Sequence, residues 1–284
     1  MQKIGVIGSG LMGSGIAEVC ARAGLEVVVR EIHAAAAEAG MARLTTSFDR
    51  AIRAGKISEA DRDGALQRVT FTTDLADLAD RDLVIEAAVE DEALKTALFR
   101  DLDAIVTNPS AILASNTSSI PITRLGAVTA RPENVLGMHF FNPVPVLRLC
   151  ELVPGARTSS DTVARAEAFA TEQLHKTVIK SKDQAGFIVN ALLVPYILAA
   201  IRMFATGFAS AEDIDNGMVE GCAHPMGPLR LADLIGLDTL LFVANSLYAE
   251  FKEPLYAPPS LLLRMVEAGL LGRKSGRGFF DYAR

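Results

Sequence analysis

The chain is short of three things, and each shortage excludes a class of protein. Its three cysteines, Cys20, Cys150 and Cys222, are odd in number and widely spaced in apolar stretches. That excludes a disulfide framework and reads as reduced thiols of a cytoplasmic protein. Cations are in deficit, 28 Lys and Arg against 34 Asp and Glu for a formal net charge of -6. Nucleic acid is therefore excluded as the main partner, because no surplus charge exists to replace phosphate counterions. Long apolar runs are missing too. The longest, 187–201, is interrupted by Asn190 and Pro195 and stopped by Arg202. It falls short of the roughly 20 residues a membrane span needs and reads as a buried helix. His224, in Cys222-Ala223-His224-Pro225, lacks the company of a zinc ligand set, so it is read as structural and no metal is expected.

What the chain does have is a globular composition, 50% hydrophobic and 22% charged over 284 residues. This supports a sizeable core and about two domains. The first stretch, Lys3-Ile4-Gly5-Val6-Ile7-Gly8-Ser9-Gly10-Leu11-Met12-Gly13, is a β-branched strand running into Gly-x-Gly-x-x-Gly and then a helix over 12–23 closed by Gly24. Although a lysine precedes apolar residues here, no small-residue cleavage site stands out, and the turn explains the stretch better than a signal peptide. In a dinucleotide site, Gly8 permits the tight turn, Gly10 lets backbone amides approach the pyrophosphate, and Gly13 packs helix on strand. A second strand, Glu26-Val27-Val28-Val29-Arg30, delivers Glu31 eighteen residues beyond Gly13, where a carboxylate accepts ribose hydroxyls. The pattern predicts a nicotinamide or flavin dinucleotide and a Rossmann-type, doubly wound, mostly parallel α/β sheet.

Beyond Glu31 a long helix over 34–54 and a short one from Ser58 carry Arg50, Arg53 and Lys56 at one end. These are either a solvated face or a phosphate-binding patch. Strands are expected at 69–72, 83–87 and 112–115. Glu90 and Lys95 follow the second of these strands, as cofactor contacts or as an ordinary helix-start acid and surface lysine. Asn116-Thr117-Ser118-Ser119 follows the third, to cap a helix or to face a substrate oxygen. His139 ends the apolar strand Val135-Leu136-Gly137-Met138-His139 ahead of Asn142-Pro143, and Glu151 interrupts the apolar strand Leu149-Cys150-Glu151-Leu152-Val153. A carboxylate there is solvent-facing or paired; if its strand neighbours that of His139, Glu151 orients the imidazole of a general base. A helix over 162–174 and a strand at 177–179 complete a domain of residues 1–184. Residues 185–284 lose the strand pattern and read as an all-helical domain for substrate binding and dimerisation.

The glycine turn, Asn116-Thr117-Ser118-Ser119, His139-Phe140-Phe141-Asn142-Pro143, Glu151, Gly186-Phe187-Ile188-Val189-Asn190, His224-Pro225-Met226-Gly227-Pro228 and the tail from Gly272 to Phe280 together resemble the L-3-hydroxyacyl-CoA dehydrogenases, and most nearly their short bacterial 3-hydroxybutyryl-CoA members. The resemblance covers essentially the whole chain. It implies NAD-dependent interconversion of an L-3-hydroxyacyl-CoA and a 3-oxoacyl-CoA by a homodimer. It makes His139 the base, Glu151 its orienter, and Ser118 and Asn190 the groups that bind the reacting oxygen. Cofactor contacts are implied for Gly8, Gly10, Leu11, Met12, Gly13 and Glu31, for Glu90, Lys95, Asn116 and Ser118, and for Asn142 and Lys274. Arg53 and Lys56 fall where the family contacts coenzyme A phosphates. The chain departs from the family's habit at Glu31, where aspartate is usual, and at Gln184-Ala185-Gly186, where a turn with proline is common. The competing functions are a dehydrogenase of a free hydroxy or sugar acid, in which the basic patch is idle, and a non-catalytic, crystallin-like binding protein.

Overall fold

Leu83-Val84-Ile85 and Ile112-Leu113-Ala114 are apolar without alternation, and such strands need cover on both faces. In the computed structural model, which describes residues 1–282, both runs are buried in the middle of one sheet. The first of two units, Met1–Gln184, alternates strand and helix. It runs β1 (Lys3–Ile7), α1 (Leu11–Arg22), β2 (Glu26–Arg30), α2 (Ala34–Arg53), α3 (Glu59–Leu66), β3 (Val69–Thr72), β4 (Leu83–Glu86) and α4 (Glu92–Ile105). It continues with β5 (Ile112–Ser115), α5 (Ile122–Ala127), β6 (Val135–Phe140), β7 (Leu149–Pro154), α6 (Ser160–Ala168) and β8 (Thr177–Lys180).

The sheet order is β3-β2-β1-β4-β5-β6-β7-β8. The six strands β1 to β6 are parallel, β7 turns back antiparallel to β6, and β8 runs with β7. Strand order departs in both directions from the β1–β4 pair, so the switch point at which such sheets bind ligands lies at their carboxyl ends. The core beneath it includes Val6, Ile16, Phe48, Ile85, Met138 and Phe140. The helix expected over 162–174 is α6 followed by one wide turn, Phe169–Gln173, closed by Leu174 N on the Phe169 carbonyl. That turn seats Phe169 and Ala170 in the core.

On α1, Glu18 is buried with Arg22 3.4 Å away, and its Oε2 has no hydrogen-bond partner among the described residues. Burial pushes its carboxyl above the usual range, against the opposing pull of Ser47, Arg22 and Arg50. A group whose folded pKa is raised favours the folded state below its unfolded pKa, and that advantage disappears as pH rises through the folded value. At neutral pH the carboxylate is therefore a cost. Glu18→Gln should raise stability at pH 7 by about 1 kcal/mol, or roughly 2–4 °C in Tm, with the gain vanishing below pH 4. Equal Tm values for variant and wild type at pH 7 would remove the argument.

The second unit, from Ala185 onward, is helical: α7 (Val189–Ala205), α8 (Ala211–Cys222), α9 (Pro228–Ile235), α10 (Leu237–Phe251) and α11 (Ser260–Glu267). Helix α7 begins two residues later than its apolar run, because Gly186 and Phe187 adopt left-handed φ values of 76° and 50°. Its Val194, Ile197, Leu198 and Ile201 form an i, i+3, i+4, i+7 stripe into a core with Leu229, Leu240 and Leu247. Two buried aspartates explain the glycine-rich motifs of this half. Asp215 accepts the amides of Leu229 and Arg230 at the start of α9, and a Cβ on Gly227 would strike it. Asp233 accepts the amides of Phe279 and Phe280 and the hydroxyl of Tyr282, with Gly272 and Gly278 pressed against it. One expectation is corrected here. Cys20 and Cys150 are buried, with thiol pKa values pushed up to about 12, but Cys222 is exposed, because α8 ends on a face turned to solvent. No single helix among the described residues is long and apolar enough to cross a membrane.

Candidate active site

Gly8 has φ +86°, and a Cβ there would lie 2.8 Å from the Ala87 carbonyl oxygen; on Gly13 it would lie 1.9 Å from that of Gly8. The turn closes only with glycine at both positions. Gly10 is different, for nothing among the described residues lies within 4 Å of where its Cβ would be. Its glycine therefore answers to space outside the protein, where a pyrophosphate approaches in turns of this kind. The first helical bond of α1 runs from Ser14 N to Gly10 O, so the amides of Leu11, Met12 and Gly13 precede the ladder. No acid or side-chain cap competes in the first turn, leaving the positive helix end to an anion.

Glu31 ends β2 and accepts from Ser9 N at 2.5 Å, Ser9 Oγ at 2.7 Å and Ile32 N at 3.1 Å. Burial opposes its charge, but the Ser9 and Ile32 bonds and nearby Arg30 hold its carboxyl below the usual range. Arg43 of α2, not anticipated, ties the turn from outside through Ser9 O at 3.1 Å. Leu11, Ile32 and Val89, close behind the ends of β1, β2 and β4, stand 71%, 71% and 70% exposed. Apolar side chains left in solvent beside a phosphate-binding turn suit the faces of an adenine. Of these, Ile32 and Val89 escaped the sequence reading, since a single apolar residue in a loop carries no periodic signal. The donor set fits NAD.

A second cluster joins the ends of β4 and β5. Lys95 was expected at a cofactor or on a helix surface; it is 1% exposed, with Nζ 2.6 Å from Glu86 Oε1 and 3.2 Å from Glu90 Oε2. The spacing of Lys95, Leu98, Phe99 and Leu102 on the buried face of α4 carried that signal. Glu90 accepts from the Thr117 hydroxyl, from Ser118 N at 3.2 Å and from Ser119 Oγ at 3.2 Å. The Ser118 amide is thus spent within the protein, while its hydroxyl has no partner among the described residues. Asn116 Oδ1 accepts Phe140 N at 2.9 Å, lashing this turn to the end of β6.

The antiparallel register of β6 and β7 places His139 directly opposite Glu151. His139 Nδ1 lies 2.6 Å from Glu151 Oε2, with the carboxylate fully buried and the imidazole nearly so. Phe141 packs against the ring at a centroid distance of 4.5 Å. A carboxylate on Nδ1 fixes the tautomer and ring orientation, and it leaves proton exchange with any ligand to Nε2. Asn142 follows, exposed, and its bond to Pro143 is cis. Lys176, buried and unforeseen, holds the next segment by donating to the carbonyls of Val144 at 2.5 Å and Leu147 at 2.7 Å.

The remaining candidates belong to other elements of the chain. Arg53 and Lys56 are exposed around the end of α2, and neither has a carboxylate partner among the described residues; Arg50 lends its charge to Glu18. Asn190 sits in the first turn of α7 in the second unit, half-buried. Lys274, also in that unit, has its ammonium on Asp238, 2.6 Å from Oδ2.

The chain matches known proteins over essentially its whole length. Residues 3–184 match the NAD-binding domain of 3-hydroxyacyl-CoA dehydrogenase, and residues 186–282 match its C-terminal domain. A 3-hydroxybutyryl-CoA dehydrogenase of Mycobacterium tuberculosis is 60% identical over 282 residues, 99% of either chain. The crystal structure of M. tuberculosis FadB2 superposes with a TM-score of 0.99 at 60% identity, covering 100% of this chain and 99% of that one. The (S)-3-hydroxybutyryl-CoA dehydrogenase PaaH1 of Ralstonia eutropha gives 0.93 at 48% identity, with 100% of both chains covered. With matches to both domain families and whole-chain identity at this level, the chain belongs to the 3-hydroxyacyl-CoA dehydrogenase family.

Proposed function

We propose that this enzyme interconverts (S)-3-hydroxybutyryl-CoA and acetoacetyl-CoA with NAD, His139 acting as general base and Glu151 as its electrostatic partner. The observation that carries the reading is the buried 2.6 Å contact between His139 Nδ1 and Glu151 Oε2, in a chain that also has the dinucleotide turn. Bound NAD supplies the hydride acceptor. The protein supplies the rest: the turn and Glu31 hold the adenosine half, the Ser118 hydroxyl meets the reacting oxygen, and Nε2 of His139 takes or returns the proton. Glu31 favours NAD over NADP, since a 2′-phosphate would meet it as a like charge. Glu90, Asn116 and Asn142 shape the cofactor crevice, and Asn190 and Lys274 keep the roles that family resemblance gives them; Lys95, 1% exposed, is enclosed between Glu86 and Glu90 and serves the cofactor crevice only by holding Glu90.

Arg53 and Lys56 are assigned to the coenzyme A phosphates, supported by their exposure without acidic partners among the described residues. NADH oxidation should be fast with acetoacetyl-CoA and negligible with acetoacetate. Arg53→Ala with Lys56→Ala should raise KM for acetoacetyl-CoA about tenfold with little change in kcat, as expected when binding is lost equally from ground and transition states. Added salt should weaken the wild type more than the variant. Equal turnover of acetoacetate would shift the assignment to a free hydroxy acid.

The protein is further proposed to be a cytoplasmic homodimer that associates through its helical unit. Its three free cysteines support the compartment. Leu192, Phe208 and Phe242, large apolar side chains exposed on that unit, support the association. Sedimentation as a monomer at micromolar concentration would remove the dimer.

A further inference from the structure

The hydrogen bonds around Ser118 close into a ring. Glu86 Oε2 accepts from Ser115 Oγ at 2.6 Å, and Ser115 Oγ accepts from Thr117 N at 3.2 Å. The Thr117 hydroxyl donates to Glu90 Oε1, Glu90 Oε2 meets Lys95 Nζ at 3.2 Å, and Lys95 Nζ returns to Glu86 Oε1 at 2.6 Å. Glu86 is the one member with no exposed surface that carries a charge into this ring, at 0% against 1% for Lys95. It also accepts the amide of Ala88 at 2.7 Å. Ala88 belongs to the wall against which Gly8 is packed, so the same carboxylate braces the dinucleotide turn. In the sheet, Glu86 stands between Ile7 of β1 and Ser115 of β5, at the switch point itself.

We propose that Glu86 is a positioning residue of the dehydrogenase: sealed from substrate and cofactor, it sets the direction of the Ser118 hydroxyl and the place of Glu90. Two carboxylates share one ammonium, and Glu90 can spend Oε1 on the Ser118 turn because Glu86 satisfies most of Lys95. If Glu86 loses its charge, the buried ammonium has a single carboxylate left and draws both oxygens of Glu90 toward itself. The Thr117, Ser118 and Ser119 donors then lose their common acceptor, and Ser115 loses an acceptor for its hydroxyl. The Ser118 hydroxyl meets an oxygen whose charge changes during reaction, so its alignment matters more in the transition state than in the bound ground state. Disorder in the ring must therefore appear in kcat before it appears in KM.

This inference rests on the proposed activity, and its test separates the two. Glu86→Gln, Ser115→Ala and their combination are compared with wild type for kcat, KM for acetoacetyl-CoA, Kd for NADH and Tm. Ser115→Ala breaks the ring without stranding a buried cation, so it reports even if Glu86→Gln fails to fold. The expected result is a kcat loss of about tenfold for Glu86→Gln and about threefold for Ser115→Ala, with KM for acetoacetyl-CoA within about twofold of wild type. The combined loss should be smaller than the product of the two, because both act through one ring. Folded variants that lose only Tm, or whose KM rises as much as kcat falls, would overturn the positioning role. A wild type that transfers no hydride to acetoacetyl-CoA would instead overturn the activity, whatever the variants do.

Discussion

His139→Gln should reduce kcat for acetoacetyl-CoA reduction and for the reverse oxidation by about 10²–10⁴, equivalent to roughly 3–5 kcal/mol of barrier. A hydride can leave the carbinol carbon only as its hydroxyl proton departs, and the departing proton needs a base that works near neutral pH. Imidazole is the side chain whose unperturbed pKa suits that task. Nδ1 contacts Glu151 at 2.6 Å, so the proposed proton exchange is assigned to Nε2. Glutamine can still donate a hydrogen bond, but it cannot accept and hold a proton, so binding should survive while chemistry slows. Kd for NADH is expected within about twofold of wild type, because none of the amides of the glycine turn is touched. Near-normal kcat in a folded His139→Gln protein would exclude His139 as the base.

The sequence made most of the first unit legible because its signals are local. A β-branched run into glycines, and strands apolar without alternation, follow from the chemistry of a sheet covered on both faces. Glu151 was legible as well, since a carboxylate inside an apolar strand must have a partner, though spacing alone could not say that β7 turns back antiparallel to face His139. What stayed hidden is what depends on neighbours far along the chain. Glu86 ends an apolar strand like many acids do, and nothing near it in sequence announces that Ser115 and Lys95 meet it. The burial of Lys95 differs from both expectations, a cofactor contact or a surface lysine, although its helical spacing with Leu98, Phe99 and Leu102 puts it on the buried face. The late start of α7 was also hidden, because the left-handed turn at Gly186 and Phe187 overrides an apolar run that by composition would be helix.

Glu151→Gln should lower kcat by about 10²-fold while leaving Kd for NADH and Tm close to wild type. Glutamine fills the same volume, and its carbonyl oxygen can still accept the Nδ1 proton, so the imidazole keeps its place. What is lost is the charge. In the role proposed for it, His139 becomes a cation in a buried site as it takes the hydroxyl proton, and a carboxylate 2.6 Å from Nδ1 would stabilise that cation as it forms. A neutral imidazole gains far less from that charge than an imidazolium does, so a contact of this kind favours the transition state over the ground state, which is the condition for raising kcat. If the carboxylate serves catalysis through the imidazole, its removal has little left to damage in kcat once His139 is gone. The His139→Gln, Glu151→Gln double variant should therefore be about as slow as His139→Gln alone, and far faster than the product of the two single losses predicts. Losses that multiply would show that Glu151 contributes by a route independent of His139.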